Sequence, residues 1–231
     1  MLRRGFSLAA TRWIFFPDQM PIQGEKMLNF AGWYDSIFEG ILGGLRRVAA
    51  RAVPPRDGLS VLDIGCGTGS QLAIYAESSG RVCGIDLSEP MLGIARSKLG
   101  ESAVLAKGNA LNLPYAAGTF DLVMSSLFFH QLQPEQRTAV LGEALRVLKP
   151  DGQIMLIDFH VKDRHTIIGK LTYAFISIIE FFAGREHFNN SRDFLANGGI
   201  PTLAEAIGFR VKKAFVVGNG NLGVYLLTKV E

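Results

Sequence analysis

The chain has 231 residues, 48% of them hydrophobic and 19% charged, enough for one α/β domain with a full core plus a short extension or lid. Its 24 basic and 21 acidic side chains leave a net charge of +3, too slight an excess to argue for nucleic acid as a partner. Two cysteines, Cys66 and Cys83, exclude a disulfide framework by number and pattern and fit a reducing, cytoplasmic setting.

Residues 1–10 begin like a signal or transit peptide, but Arg12 interrupts a short apolar run. A span needs about 20 apolar residues, so this is not one. Trp13-Ile14-Phe15-Phe16 beside Arg3, Arg4 and Arg12 packs over the domain or meets a membrane surface peripherally. Apolar positions from Phe30 to Leu45 predict helix over residues 25–52, ended by Pro54-Pro55, so that 1–52 forms a helical cap and 53–231 the main domain. Strands are then expected near 59–64, 81–86, 102–106, 120–125 and 152–158, and helices near 69–78, 89–98 and 134–148. This alternation builds a doubly wound, mostly parallel sheet with helices on both faces. Phe209–Val217 and Leu222–Thr228 flank Gly218-Asn219-Gly220-Asn221, a hairpin signal that makes the last of seven strands antiparallel. Residues 160–200 contain the nearly all-apolar run 167–184, broken by Lys170 and Glu180. It follows the fifth strand, where a lid over a ligand belongs, and it also suits a buried helix. Its two charges and short length exclude a membrane span.

The most informative stretch is Val61-Leu62-Asp63-Ile64-Gly65-Cys66-Gly67-Thr68-Gly69. An apolar strand runs into an acid and then a loop of alternating glycines, where a ligand can approach bare backbone. Asp86 ends the next apolar segment, Val82–Asp86. Two acids at neighbouring strand ends around a glycine loop describe a nucleoside site. The dinucleotide fingerprint G-x-G-x-x-G fails at Ser70, and Asp63 would repel a pyrophosphate. A cationic amino group would instead be held there, which favours S-adenosylmethionine over NAD.

These blocks, followed by Gly84–Ser88 with Met91, Leu92 and Ala95, Gly108-Asn109-Ala110, Leu113-Pro114-Tyr115, Phe120–Val123 and Leu148–Gln153, resemble the class I S-adenosylmethionine-dependent methyltransferases. The resemblance covers residues 58–158, and its nearest subgroup is the ubiquinone/menaquinone-type and related small-molecule or lipid enzymes. It implies that Asp63 and the backbone at Gly65, Cys66, Gly67 and Gly69 hold the methionine end. Asp86 would accept the ribose hydroxyls, Leu87 and Met91 would flank the adenine, and Asn109-Ala110 would meet its amino edge. Many relatives have aspartate at the position of Asn109. Ser125 belongs to the same candidate cofactor set, at the end of the fourth strand.

For catalysis His130, after the fourth strand, is a candidate proton acceptor or a packing residue. Asp158 and His160 alternate on one face after the fifth strand, so one of them is a further candidate. His187 falls at the return of the lid, Tyr34 matches a tyrosine that many relatives place over cofactor or acceptor, and His165 is read as exposed. No His, Cys, Asp or Glu set has metal-ligand spacing in the sequence. The expected activity is methyl transfer to a small, lipophilic acceptor: a quinone-like ring, a phospholipid head group or a related metabolite. The rival readings are a non-catalytic protein that binds the same cofactor and an NAD-linked oxidoreductase.

Overall fold

In the computed structural model, residues 43–161 and 166–229 are described. Residues 43–52 are helical (α1), and Leu45, Ala49 and Val53 pack into the core. The rest of the expected amino-terminal cap, with Tyr34, lies outside the described residues, as does His165.

Seven strands form one sheet: β1 Ser60–Ile64, β2 Arg81–Asp86, β3 Val104–Lys107, β4 Phe120–Ser126, β5 Leu148–Phe159, β6 Phe209–Val217 and β7 Leu222–Lys229, in the order β3-β2-β1-β4-β5-β7-β6. Strands β1 to β5 pair in parallel, and β7 runs antiparallel to both β5 and β6. The central strands are buried on both faces, which is why β1 and β4 read as continuous apolar runs instead of alternating ones. The edge strand β6 is mostly exposed, and Lys212 bulges out between Val211 and Lys213, a charged interruption that blunts the edge.

The helices are α2 Ala73–Ala76, α3 Glu89–Leu99, α4 Pro134–Val147, α5 Ile167–Ala183, α6 Arg185–Ala196 and α7 Gly199–Glu205. Ser88 caps α3 by accepting from the Met91 N–H at 3.4 Å, with Glu89 in the first turn and Arg96 and Lys98 in the last, matching the helix dipole. Helix α2 is shorter than its apolar pattern suggests. Gly69 sits at φ +73°, and turns rather than α-helix carry the chain from there to Leu72. Strand β5 begins four residues earlier than expected, because its ladder with β4 forms on both sides of Lys149–Gly152 (Phe120 opposite Leu148, Leu122 opposite Gln153). The apolar run after β5 is α5, and Gly184 at φ +129° turns the chain into α6.

From β1 the chain winds outward through β2 to β3 and then returns to β4 on the other side of β1. The carboxyl ends of β1 and β4 therefore flank a topological switch point, where open sheets of this kind bind ligands.

Candidate active site

Asp63 is the penultimate residue of β1 and only 1% exposed. Its Oδ1 is buried with no hydrogen-bond partner. Burial, reinforced by the nearby Asp86 carboxylate, pushes its pKa well above the ordinary range. A buried acceptor in this condition lacks a cation or donor. The glycine loop follows directly. Gly65, Gly67 and Gly69 have φ of +70°, +53° and +73°, backbone that glycine adopts without strain. A Cβ at Gly65 would fall 2.6 Å from the Phe128 ring, so the loop and the end of β4 touch. A Cβ at Gly67 would meet no atom of the described residues within 4 Å.

Asp86, the last residue of β2, pins this loop. Its Oδ2 accepts from the Gly67 N–H and its Oδ1 from the Ser88 N–H, both at 2.8 Å. Burial raises its pKa, opposed by the backbone N–H groups of Ser88, Gly67 and Leu87. Each carboxylate oxygen keeps a lone pair for a ribose hydroxyl. Leu87 is exposed and Met91 half-buried, Ala110 is buried, and exposed Asn109 uses Oδ1 to accept from the Leu111 N–H at 2.9 Å. Cys66 is buried, and burial followed by the charges of Asp63 and Asp86 pushes its thiol pKa far up, so it acts as an inert wall. Ser125 donates to the Ile64 carbonyl at 2.7 Å and so ties β4 to β1 from within the core. The orphaned Asp63 oxygen, the glycine backbone and, among the described residues, the absence of any basic side chain bonded to either acid fit a cationic, phosphate-free nucleoside.

Beyond β4 the chain makes a 3-10 turn, Phe129–Gln131, that buries His130 to 2% exposure. The His130 Nδ1 lies 2.7 Å from Asp158 Oδ1 on β5, and the His130 backbone N–H donates to the other oxygen at 3.2 Å. The ring stacks on Phe159, centroids 4.3 Å apart. Burial presses the His130 pKa down, but the charge and hydrogen bond of Asp158 and the charge of Glu180 outweigh it, and the net shift is upward. Glu180 from α5 brings Oε2 to 3.7 Å from His130 Nε2 and 2.8 Å from His187 Nε2 on α6. Arg137 fastens α6 over this turn through Asp193, the Asn190 carbonyl and the Phe129 carbonyl. His160 makes a separate pair with the Tyr225 hydroxyl at 2.7 Å, while Asp158 serves His130.

The sequence thus pointed to His130 and Asp158 separately, and the fold joins them. Glu180 was not singled out for the site, since in sequence it is one of two charges interrupting a greasy helix. A crevice beside it, between α5, α6 and the end of β5, is lined by Phe159, Tyr173, Ile176, Phe188, Ser191 and Asn221 among others.

Residues 62–156 match the model of a methyltransferase domain family. The chain is 30% identical over 167 residues to an uncharacterized methyltransferase of Synechocystis sp., covering 72% of this chain and 74% of that protein. It is 44% identical over 108 residues to a demethylmenaquinone methyltransferase of Lactococcus lactis, which is 44% of this chain and 42% of the relative. The fold matches a SAM-dependent methyltransferase of Aquifex aeolicus with a TM-score of 0.59 at 21% identity, over 87% of this chain and 97% of that one. The chain belongs to the class I S-adenosylmethionine-dependent methyltransferases. Its cofactor is S-adenosylmethionine, and the dinucleotide alternative falls with that assignment.

If Asp63 meets the cofactor's ammonium group, cofactor binding is expected to depend on pH. The free protein holds a proton on this carboxyl at pH values where an exposed aspartate has lost it, and a bound ammonium group favours the ionised form. Binding therefore releases a proton, and affinity falls as the pH drops through the raised pKa. Calorimetry with S-adenosylhomocysteine in two buffers of different ionisation enthalpy is expected to show this release in the wild type and not in Asp63→Asn. Equal release in both would show that Asp63 does not meet the cation.

Proposed function

We propose that the enzyme methylates a small, lipophilic acceptor, of the quinone-like type, that enters beneath α5. The observation that supports this reading is the apolar lining next to the His130 turn, Phe159, Tyr173, Ile176 and Phe188 with Glu180, Ser191 and Asn221 as polar points, around a gap of only about 10 Å³ that α5 and α6 must widen to admit a ring. Such a lining suits a flat, apolar molecule oriented by a few polar groups. The likeness to the Lactococcus lactis demethylmenaquinone enzyme supports a quinone-like ring. Ile167, Ile168, Leu171, Ile178 and Phe181 stand exposed on α5, from 55% to 77%, a surface that a membrane-dissolved acceptor would meet. In this reading residues 160–200 are the lid of a catalytic domain spanning 53–231, and 1–52 form its helical cap.

The cofactor supplies a methyl group already activated on a sulfonium. What remains for the protein is alignment and exclusion of water. Asp63 and the glycine loop fix the amino acid end, Asp86 the ribose, and Leu87, Met91, Asn109 and Ala110 the base. Phe128 seals the loop against β4, and α5 and α6 cover the acceptor. His130, buried behind Glu180 and held by Asp158, is the candidate to act on the acceptor end through Glu180. His160, tied to Tyr225, and Tyr34, outside the described residues, are the other candidates for that role.

Turnover of matched aromatic acceptors with and without a long alkyl tail tests the reading. The tailed compound is expected to show a Michaelis constant at least 10-fold lower. Equal constants and equal turnover would remove the lipophilic acceptor.

A further inference from the structure

We propose that His130, Glu180 and His187 form a binding site for a divalent transition-metal ion of the zinc type. One side-chain donor from each lies within 4.8 Å of the other two. The Glu180 Oε2 stands 2.8 Å from His187 Nε2 and 3.7 Å from His130 Nε2. Ligand atoms bound tetrahedrally at about 2.0–2.1 Å lie about 3.3 Å apart, and these two separations bracket that value. The set is two histidines and one carboxylate, a donor combination that holds zinc with a position left open.

A second, independent observation points to a ligand. Glu180 is only 9% exposed, and its Oε2 is buried with no hydrogen-bond partner, although His187 is within ion-pair distance. A short approach without hydrogen-bond geometry is what two donors produce when both aim at a third point. The outer support is present too. The Asp158 carboxylate engages His130 Nδ1 at 2.7 Å, leaving Nε2 to face Glu180. This is the carboxylate–histidine relay that orients imidazole ligands and strengthens them as donors. Charge also balances: with both histidines neutral, a dication offsets the carboxylates of Asp158 and Glu180, and Arg137 is already paired with Asp193. No local motif announced the set. Glu180 and His187 are seven residues apart across the break at Gly184, and His130 arrives from another layer of the fold.

Glu180 also lines the acceptor crevice, so the open coordination position would take an oxygen of the acceptor and fix its angle to the methyl group. That role rests on the acceptor site proposed above; the ion site itself does not.

The test titrates the chelator-treated full chain with zinc chloride against a chromophoric chelator, and with cobalt chloride while recording the visible absorption of the ion. The wild type is expected to bind one equivalent, with cobalt bands of low coordination number. Glu180→Gln and His187→Gln are each expected to weaken zinc binding at least 10-fold. Asp158→Asn, acting through His130, is expected to weaken it about 10- to 100-fold. Thermal melts and S-adenosylhomocysteine binding check that each variant is folded. A wild type that binds zinc no more tightly than the folded Glu180→Gln/His187→Gln double variant overturns the site and shows a cluster held by protons alone. Zinc binding intact with no preference for tailed acceptors keeps the ion site and removes only the lipophilic acceptor.

Discussion

Asp86→Ala is expected to weaken S-adenosylhomocysteine binding by at least about 100-fold. The carboxylate does two things at once. It holds the Gly67 and Ser88 N–H groups, each at 2.8 Å, and in the proposed binding mode its remaining lone pairs go to the ribose. Hydrogen bonds to a charged group contribute roughly 1.5–3 kcal/mol each, so losing two to the ligand costs about 3 kcal/mol or more. The loop also loses its anchor, because Gly67 would no longer be held toward β2. Asp86→Asn, which keeps the shape and one acceptor, is expected to fall between alanine and wild type. Calorimetric affinities within threefold of wild type for Asp86→Ala would mean that the ribose is bound elsewhere.

The second large effect separates two glycines that look equivalent in the sequence. Both Gly65 and Gly67 have positive φ, so alanine at either meets about 1–2 kcal/mol of backbone strain. At Gly65 the new methyl would also lie 2.6 Å from the Phe128 ring, which must move. Gly65→Ala is therefore expected to lower unfolding stability by about 3 kcal/mol. At Gly67 the methyl meets no atom of the described residues within 4 Å, so Gly67→Ala is expected to lose only about 1 kcal/mol of stability. Its damage should instead appear in cofactor affinity, because that space is the ligand's. Urea unfolding and calorimetry on the two variants give a crossed pattern if this is right. Adding Phe128→Ala to Gly65→Ala should recover the steric part of the loss. Equal stability losses at the two positions would show that the Phe128 contact carries no energy.

The sheet was legible because its signals are local. Val61–Ile64 and Val82–Asp86 are buried on both faces, so each appears as an apolar run ended by an acid, and the final hairpin declares itself through Gly218–Asn221. The cofactor end was legible for the same reason: Asp63, the glycines and Asp86 sit where strands stop. Element edges were less so. Gly69 shortened α2, and the ladder of β5 continued past a segment that reads as a turn. The acceptor end was hidden because it is assembled from three layers. His130 could be suspected from its place after β4, but its tie to Asp158 joins a 3-10 turn to β5 across 28 residues of sequence. Glu180 looked like an interruption in a greasy helix. Only the turn at Gly184, which folds α6 back along α5, shows that it has partners.

Strand β6 touches the sheet only through β7, although β6 precedes β7 in the chain. β6 is therefore joined to the rest of the sheet through the strand that follows it in the chain. A growing chain in which β7 has not yet been made leaves the β5 margin without its antiparallel neighbour. Non-local pairings such as β5 with β7 form slowly as a class, and a bare strand margin is open to self-association while it lasts. The lysines and bulge of β6 thus guard the finished edge, while the earlier, unfinished edge at β5 depends on how soon β7 fills it.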